Sequence, residues 1–150
     1  DLGSVNGTWV RIKEPRRLSI GEEFRIGRQL LRLEPLPRPS RPDDRGARAW
    51  GSPDAGARLR LAQLLDGGGV GDVFLLREGE NVVGREAGEV TFPSDRYVSA
   101  RHARIDVKGT AATLTDAGSS NGTFARISGS VELVPGDQIL IGGQLLRIDR

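Results

Sequence analysis

The chain has 150 residues, a formal net charge of +2, no Cys, no Met and one His. This length fits one domain, or one domain and a piece; without Cys there are no disulfide staples or thiolate metal sites, and a lone His makes a zinc site hard to build. Arg outnumbers Lys by 20 to 2, which supplies planar forks for carboxylate or phosphate, but so small a net charge does not point to nucleic acid. No apolar run approaches the roughly 20 residues that span a bilayer, and no basic-then-apolar leader is visible. No membrane role, no metal, no cofactor and a cytoplasmic setting are therefore expected. The missing Met leads to the expectation that the chain is cut from a longer protein.

The first residues reappear near the end. Asp1-Leu2-Gly3-Ser4-Val5-Asn6-Gly7-Thr8-Trp9 matches Asp116-Ala117-Gly118-Ser119-Ser120-Asn121-Gly122-Thr123-Phe124, and the match continues without a gap at an offset of 115 residues. Of the 34 pairs so formed 16 are identical, too many for chance, so tandem copies of one module are expected. Residues 1–34 would then be the C-terminal strands of a first copy. Such a segment is too short to bury a core of its own. Truncation of a longer repeat is the expectation, with a half-domain docked on the second copy as the alternative.

Residues 35–57 read as a linker. Pro35, Pro37, Pro39, Pro42 and Pro53 fix backbone angles and remove amide donors. Arg38, Arg41, Arg45 and Arg48 alternate with Asp43, Asp44 and Asp54, and only Trp50 is large and apolar. This is the composition of an extended, solvated tether. A basic arm for nucleic acid is disfavoured, since the cations are balanced by acids and lack interleaved aromatics.

From residue 58 to 150 short apolar runs stand between turn signals with no 3.6-residue period, so this part reads as all-β. Strands are expected at 59–65, 72–77, 81–84, 90–92, 103–107, 111–115, 123–127, 131–134, 138–141 and 144–148. Lys108-Gly109 and Gly142-Gly143 mark two-residue hairpins. Ten or eleven short strands suit a two-layer antiparallel β-sandwich; a small barrel is the alternative.

Three clusters between these strands carry chemistry. Gly84-Arg85 closes a strand. Ser99-Ala100-Arg101-His102 enters one, and its Ser offers a hydroxyl and nearby amides to an anionic oxygen. Gly118-Ser119-Ser120-Asn121-Gly122-Thr123 is a turn in which Asn-Gly favours positive φ and Asn121 presents both a donor and an acceptor. A Ser99-His102-Asp116 triad is disfavoured: no Gly-x-Ser-x-Gly elbow is present, and sequence spacing does not show that His102 reaches Ser99 as a base, since triads are recognised by geometry. No catalytic residue and no enzyme activity are expected. His102 suits a structural part, tying its loop to a neighbour through both ring nitrogens.

Taken together, Gly84-Arg85, Ser99-x-x-His102 and Asn121-Gly122 resemble the forkhead-associated (FHA) family, whose members are β-sandwiches that bind phosphothreonine peptides. The resemblance covers residues 58–150, including Glu89-Val90-Thr91-Phe92 before Pro93. It implies that Arg85 and Ser99 grip phosphate, that Asn121 bonds the peptide main chain, and that Ser120 lines the phosphothreonine methyl pocket. Gly84, His102 and Gly122 would build the site rather than touch ligand. Ala100 stands where many members carry Asn, Arg or Lys, which implies a weaker grip unless Arg101 supplies a further contact. The implied function is a phosphothreonine-dependent interaction module inside a larger signalling protein. The alternative is a structural or oligomerisation sandwich that ignores phosphate.

Overall fold

The computed structural model describes residues 1–150 and contains strands, turns and irregular segments but no helix. Four strands lie in the N-terminal part: β1 (Thr8–Arg11), β2 (Arg16–Leu18), β3 (Glu23–Ile26) and β4 (Gln29–Pro35). Nine follow the linker: β5 (Leu59–Leu64), β6 (Val70–Leu76), β7 (Gly79–Gly84), β8 (Val90–Thr91), β9 (Ala103–Lys108), β10 (Ala111–Asp116), β11 (Thr123–Arg126), β12 (Gln138–Ile141) and β13 (Gln144–Arg147). They form one sheet in the order β13-β12-β1-β11-β3-β4-β5-β6 and another in the order β2-β10-β9-β7-β8. Only β7 and β8 run parallel. Two open sheets make a sandwich, as expected, not a closed barrel.

The period of two is visible in the burial. In β9, Ala103, Ile105 and Val107 are buried while Arg104 and Lys108 face solvent. In β10, Ala112 and Leu114 take the inner face. Across from them β3, β4 and β5 contribute Phe24, Ile26, Leu31, Leu33, Leu59 and Leu61, all at most 1% exposed. These side chains form one apolar cluster between the sheets. Phe74 of β6 meets Phe92 edge-on, with centroids 5.4 Å apart, and closes the end of the core.

The N-terminal strands are thus built into both layers. β3 pairs with β11, β4 with β5, and β2 with β10. The segment too short for its own core is stabilised by sharing one. The expected strand at 131–134 is absent. One edge of β10 carries Arg16–Leu18, the counterpart of residues 131–133 at the offset of 115 residues. Residues 36–58 form no strand and Trp50 is fully exposed, while Pro35, expected in the linker, ends β4 opposite Leu59.

Leu114 is fully buried in β10, whereas Leu145 on β13 is 55% exposed. Leu114→Ala should therefore lower the unfolding free energy by about 2–5 kcal/mol, and Leu145→Ala by no more than about 0.5 kcal/mol. Urea unfolding followed by Trp fluorescence measures both; equal losses would contradict this packing.

Candidate functional site

The three sequence clusters meet at one end of the sandwich. Gly84 ends β7, and a Cβ there would lie 2.1 Å from the Ala100 carbonyl oxygen, closer than any real contact. Only glycine lets the 99–102 loop lie against the strand end. The Arg85 amide then donates to the Ser99 carbonyl at 3.0 Å, and the His102 amide to the Val83 carbonyl at 2.9 Å. Arg85 follows directly, with a half-buried stem and a guanidinium whose carboxylate partner is the neighbouring, more exposed Glu86 at 3.1 Å.

His102 joins two loops. Its ring is fully buried; Nδ1 accepts from the Ser99 amide at 3.1 Å, and Nε2 stands 2.9 Å from the Gly122 carbonyl. An amide donor at Nδ1 and a carbonyl at Nε2 fit only the neutral tautomer with its proton on Nε2. Burial pushes its pKa below the ordinary value of 6.5, against the opposing pull of the Gly122 carbonyl and of Asp116 and Asp95. Both ring nitrogens are committed to backbone, so the imidazole is no base for the Ser99 hydroxyl. That hydroxyl instead accepts from the Ser120 amide at 3.2 Å, drawing the second and third clusters together.

Asp116 builds the third turn. Its Oδ1 accepts from the Gly118 and Ser119 amides, and its Oδ2 from the Ser119 and Thr123 hydroxyls, both at 2.6 Å. Burial alone would raise its pKa, but the bonds from Ser119, Thr123 and Gly118 outweigh it and hold the carboxyl below the usual range. The Ser119 hydroxyl in turn accepts from the Gly122 amide. Gly122 has φ +86°, and a Cβ there would meet the Arg11 guanidinium at 2.6 Å. Asn121 is exposed, and its Nδ2 donates to the Tyr97 carbonyl at 3.0 Å. That leaves its Oδ1 available to an amide from outside.

Arg85, Ser99, Ser120 and Asn121 thus stand on adjoining loops. Arg101 is turned towards Glu80, 3.6 Å away. Sequence reasoning missed Asp95, which is buried and accepts from the Arg28 amide, the Gln29 side chain and the Tyr97 amide. Those bonds outweigh burial and hold its pKa down. Through Asp95 the turn between β3 and β4 is fastened beside Tyr97. The Arg28 and Arg96 guanidinium carbons lie 4.9 and 5.1 Å from the Tyr97 ring centroid, and together they border an open cleft with Ser94 and Pro93. A hydrogen bond and charge from Arg96, helped by Arg28, pull the Tyr97 hydroxyl below its ordinary pKa. No group of three or more His, Cys, Asp or Glu side chains is placed to hold a metal ion.

Comparison with known families matches residues 81–142 to the FHA domain. The chain carries one FHA domain. The match spans Gly84-Arg85, the Ser99 loop and the Asn121 turn. A solved structure described as a structural and functional analysis of phosphothreonine-dependent FHA domain interactions is similar at 30% identity, over 61% of this chain and 95% of that one, with a TM-score of 0.37. No match is found among curated proteins. FHA domains are phosphothreonine-binding protein-interaction modules.

A buried His with a lowered pKa makes stability depend on pH in one direction. The unfolded chain takes up the His102 proton near 6.5, the folded chain only lower, so stability is full above 6.5 and falls as pH drops through the gap. Asp95 and Asp116 act the same way only below their ordinary value of 3.8. Unfolding free energies between pH 7.5 and 4.5 should therefore decline in the native chain, and His102→Gln should flatten most of that decline. An unchanged slope in the variant would show that the imidazole is not held neutral.

Proposed function

We propose that this FHA domain binds phosphothreonine-containing proteins through the Arg85, Ser99 and Asn121 loops, as one module of a larger signalling protein. What supports this most directly is the tie between loops. Three separate segments present a guanidinium, a hydroxyl and a carboxamide on one rim, and a buried neutral imidazole holds two of them in register.

A phosphothreonine brings about −1.5 to −2 charges at neutral pH and three acceptor oxygens. Arg85 exchanges its exposed Glu86 partner for phosphate, a denser anion. The Ser99 hydroxyl, which accepts from the Ser120 amide, still has its own proton to donate. Asn121 Oδ1 receives a peptide amide, so main chain as well as phosphate is held. Ser120 borders the threonine methyl. Arg101, paired with Glu80, adds a contact only by leaving that carboxylate, which fits a weaker grip with Ala100 in the loop. Binding of this kind is reversible and needs neither metal nor cofactor, because no bond is made or broken.

The test is calorimetric titration of the whole chain with a phosphothreonine peptide library and its unphosphorylated counterpart. Binding should require the phosphate. Arg85→Ala should weaken it by roughly 10- to 150-fold per charge-assisted bond lost, on about 1.5–3 kcal/mol each. Binding that ignores phosphorylation, in a folded chain, would leave the scaffold function in its place.

A further inference from the structure

Residues 1–34 and 116–149 share more than sequence. Pairings and bonds made by one recur 115 residues along the chain in the other, except that β2 has no strand counterpart at 131–133. Thr123 pairs with Ile26, and Thr8 with Ile141. The Ile12 amide donates to the Thr123 carbonyl, and the Ile127 amide to the Thr8 carbonyl. Arg126 donates to Glu23, and Arg11 to Gln138. The β3–β4 hairpin and the β12–β13 hairpin have the same register. The two segments cross over at the β1–β11 pair, each laying its hairpin on the other's strand.

Burial is where they differ. Phe24, Ile26, Leu31 and Leu33 face the five-stranded sheet and are fully buried; of their counterparts Ile139 is also buried, but Ile141 and Leu146 are 45% and 47% exposed, though as apolar as Ile26 and Leu31. The FHA match also runs to residue 142, so it takes in β12, a strand set here across β1 rather than against β11.

We propose that residues 131–148 are a second, interchangeable cover for the half-sandwich of β5 to β11, so that residues 58–150 can also close on themselves. In the exchanged form Ile139, Ile141, Leu146 and Ile148 take the places of Phe24, Ile26, Leu31 and Leu33. Residues 131–133 take the β10 edge from Arg16–Leu18. The exchange reaches the binding rim. Arg28 sits in the turn between β3 and β4, and its counterpart is Gly143. Gln144 keeps the Asp95 bond that Gln29 makes, but Tyr97 loses one of its two guanidinium neighbours. On the phosphopeptide reading, the cover in place sets how much positive charge stands beside Asn121.

The chain has no Cys, so engineered pairs report the cover directly. Glu34 lies opposite Arg60, and Arg17 opposite Thr113; antiparallel partners of this kind lie within disulfide reach. Glu34→Cys with Arg60→Cys traps the observed cover, and Asp149→Cys with Arg60→Cys traps the exchanged one. Arg17→Cys or Glu132→Cys, each with Thr113→Cys, repeats the comparison on the other sheet. Each reduced variant is oxidised with glutathione and its intrachain disulfide read by mass spectrometry. Both members of each comparison should close within a single chain. Closure of the Glu34 and Arg17 variants alone, with the other two left reduced or linked only between chains, would overturn the exchange. Each closed form is then titrated with the phosphothreonine peptides. The Glu34 form should bind roughly 2- to 5-fold more tightly, the scale of one exposed charge contact. Equal affinities would remove the part given to Arg28. No binding by either would count against the phosphopeptide reading, while the disulfides would still decide the exchange.

Discussion

The five-stranded sheet cannot stand without a cover, and much else follows from that. β7, β9 and β10 turn Val83, Ala103, Ile105, Val107, Ala112 and Leu114 to one side. Each large side chain among them gains about 1.5–3 kcal/mol by leaving water. β5 and β6 cover part of that face, and strands from elsewhere must complete it. Here they are β3 and β4 of the other sheet, more than fifty residues upstream of β9. The cover also shapes the rim, because its β3–β4 turn is fastened to Asp95. A packing requirement in the core thus decides which side chains border the Arg85, Ser99 and Asn121 loops.

The loops themselves are held by polar groups kept out of water. His102, Asp116 and Asp95 are each wholly or largely buried, and each is satisfied by several backbone or side-chain partners. A buried polar group without partners costs more than its bond gains, so each of the three fixes its surroundings strongly. His102 registers the Ser99 loop against the Asn121 turn, Asp116 folds that turn, and Asp95 carries the Tyr97 loop. The rim is left with a guanidinium whose partner is exposed, a hydroxyl, and a carboxamide oxygen.

The sandwich and the three clusters were legible in the sequence because their signals are local. Alternation in Ala103–Lys108 gives a strand, and Asn121-Gly122 gives a turn, without knowledge of what lies opposite. Asp95 was not legible, since its partners Arg28 and Gln29 are 67 and 66 residues away. Asp116 drew notice only as a candidate triad member, because a carboxylate that organises a turn looks no different in sequence. The strand expected at 131–134 failed for another reason. Leu18 and Leu133 occupy equivalent places in the two segments, and periodicity cannot say which of two similar strands takes one edge.

What favours one cover over the other is a small difference between large terms. Closing β4 onto β5 spans residues 36–58, whereas β12 follows β11 after residues 127–137. The loops differ by about one doubling in length, worth only about 0.6 kcal/mol in closure entropy. Against that, Phe24 fills more of the core than Ile139, and Glu34 holds both Arg32 and Arg60, where Asp149 has a shorter reach. Both terms are of the order of a single substitution. A sequence that carries two nearly matched covers leaves the choice between them to a few side chains, and those few also set the charge beside the rim.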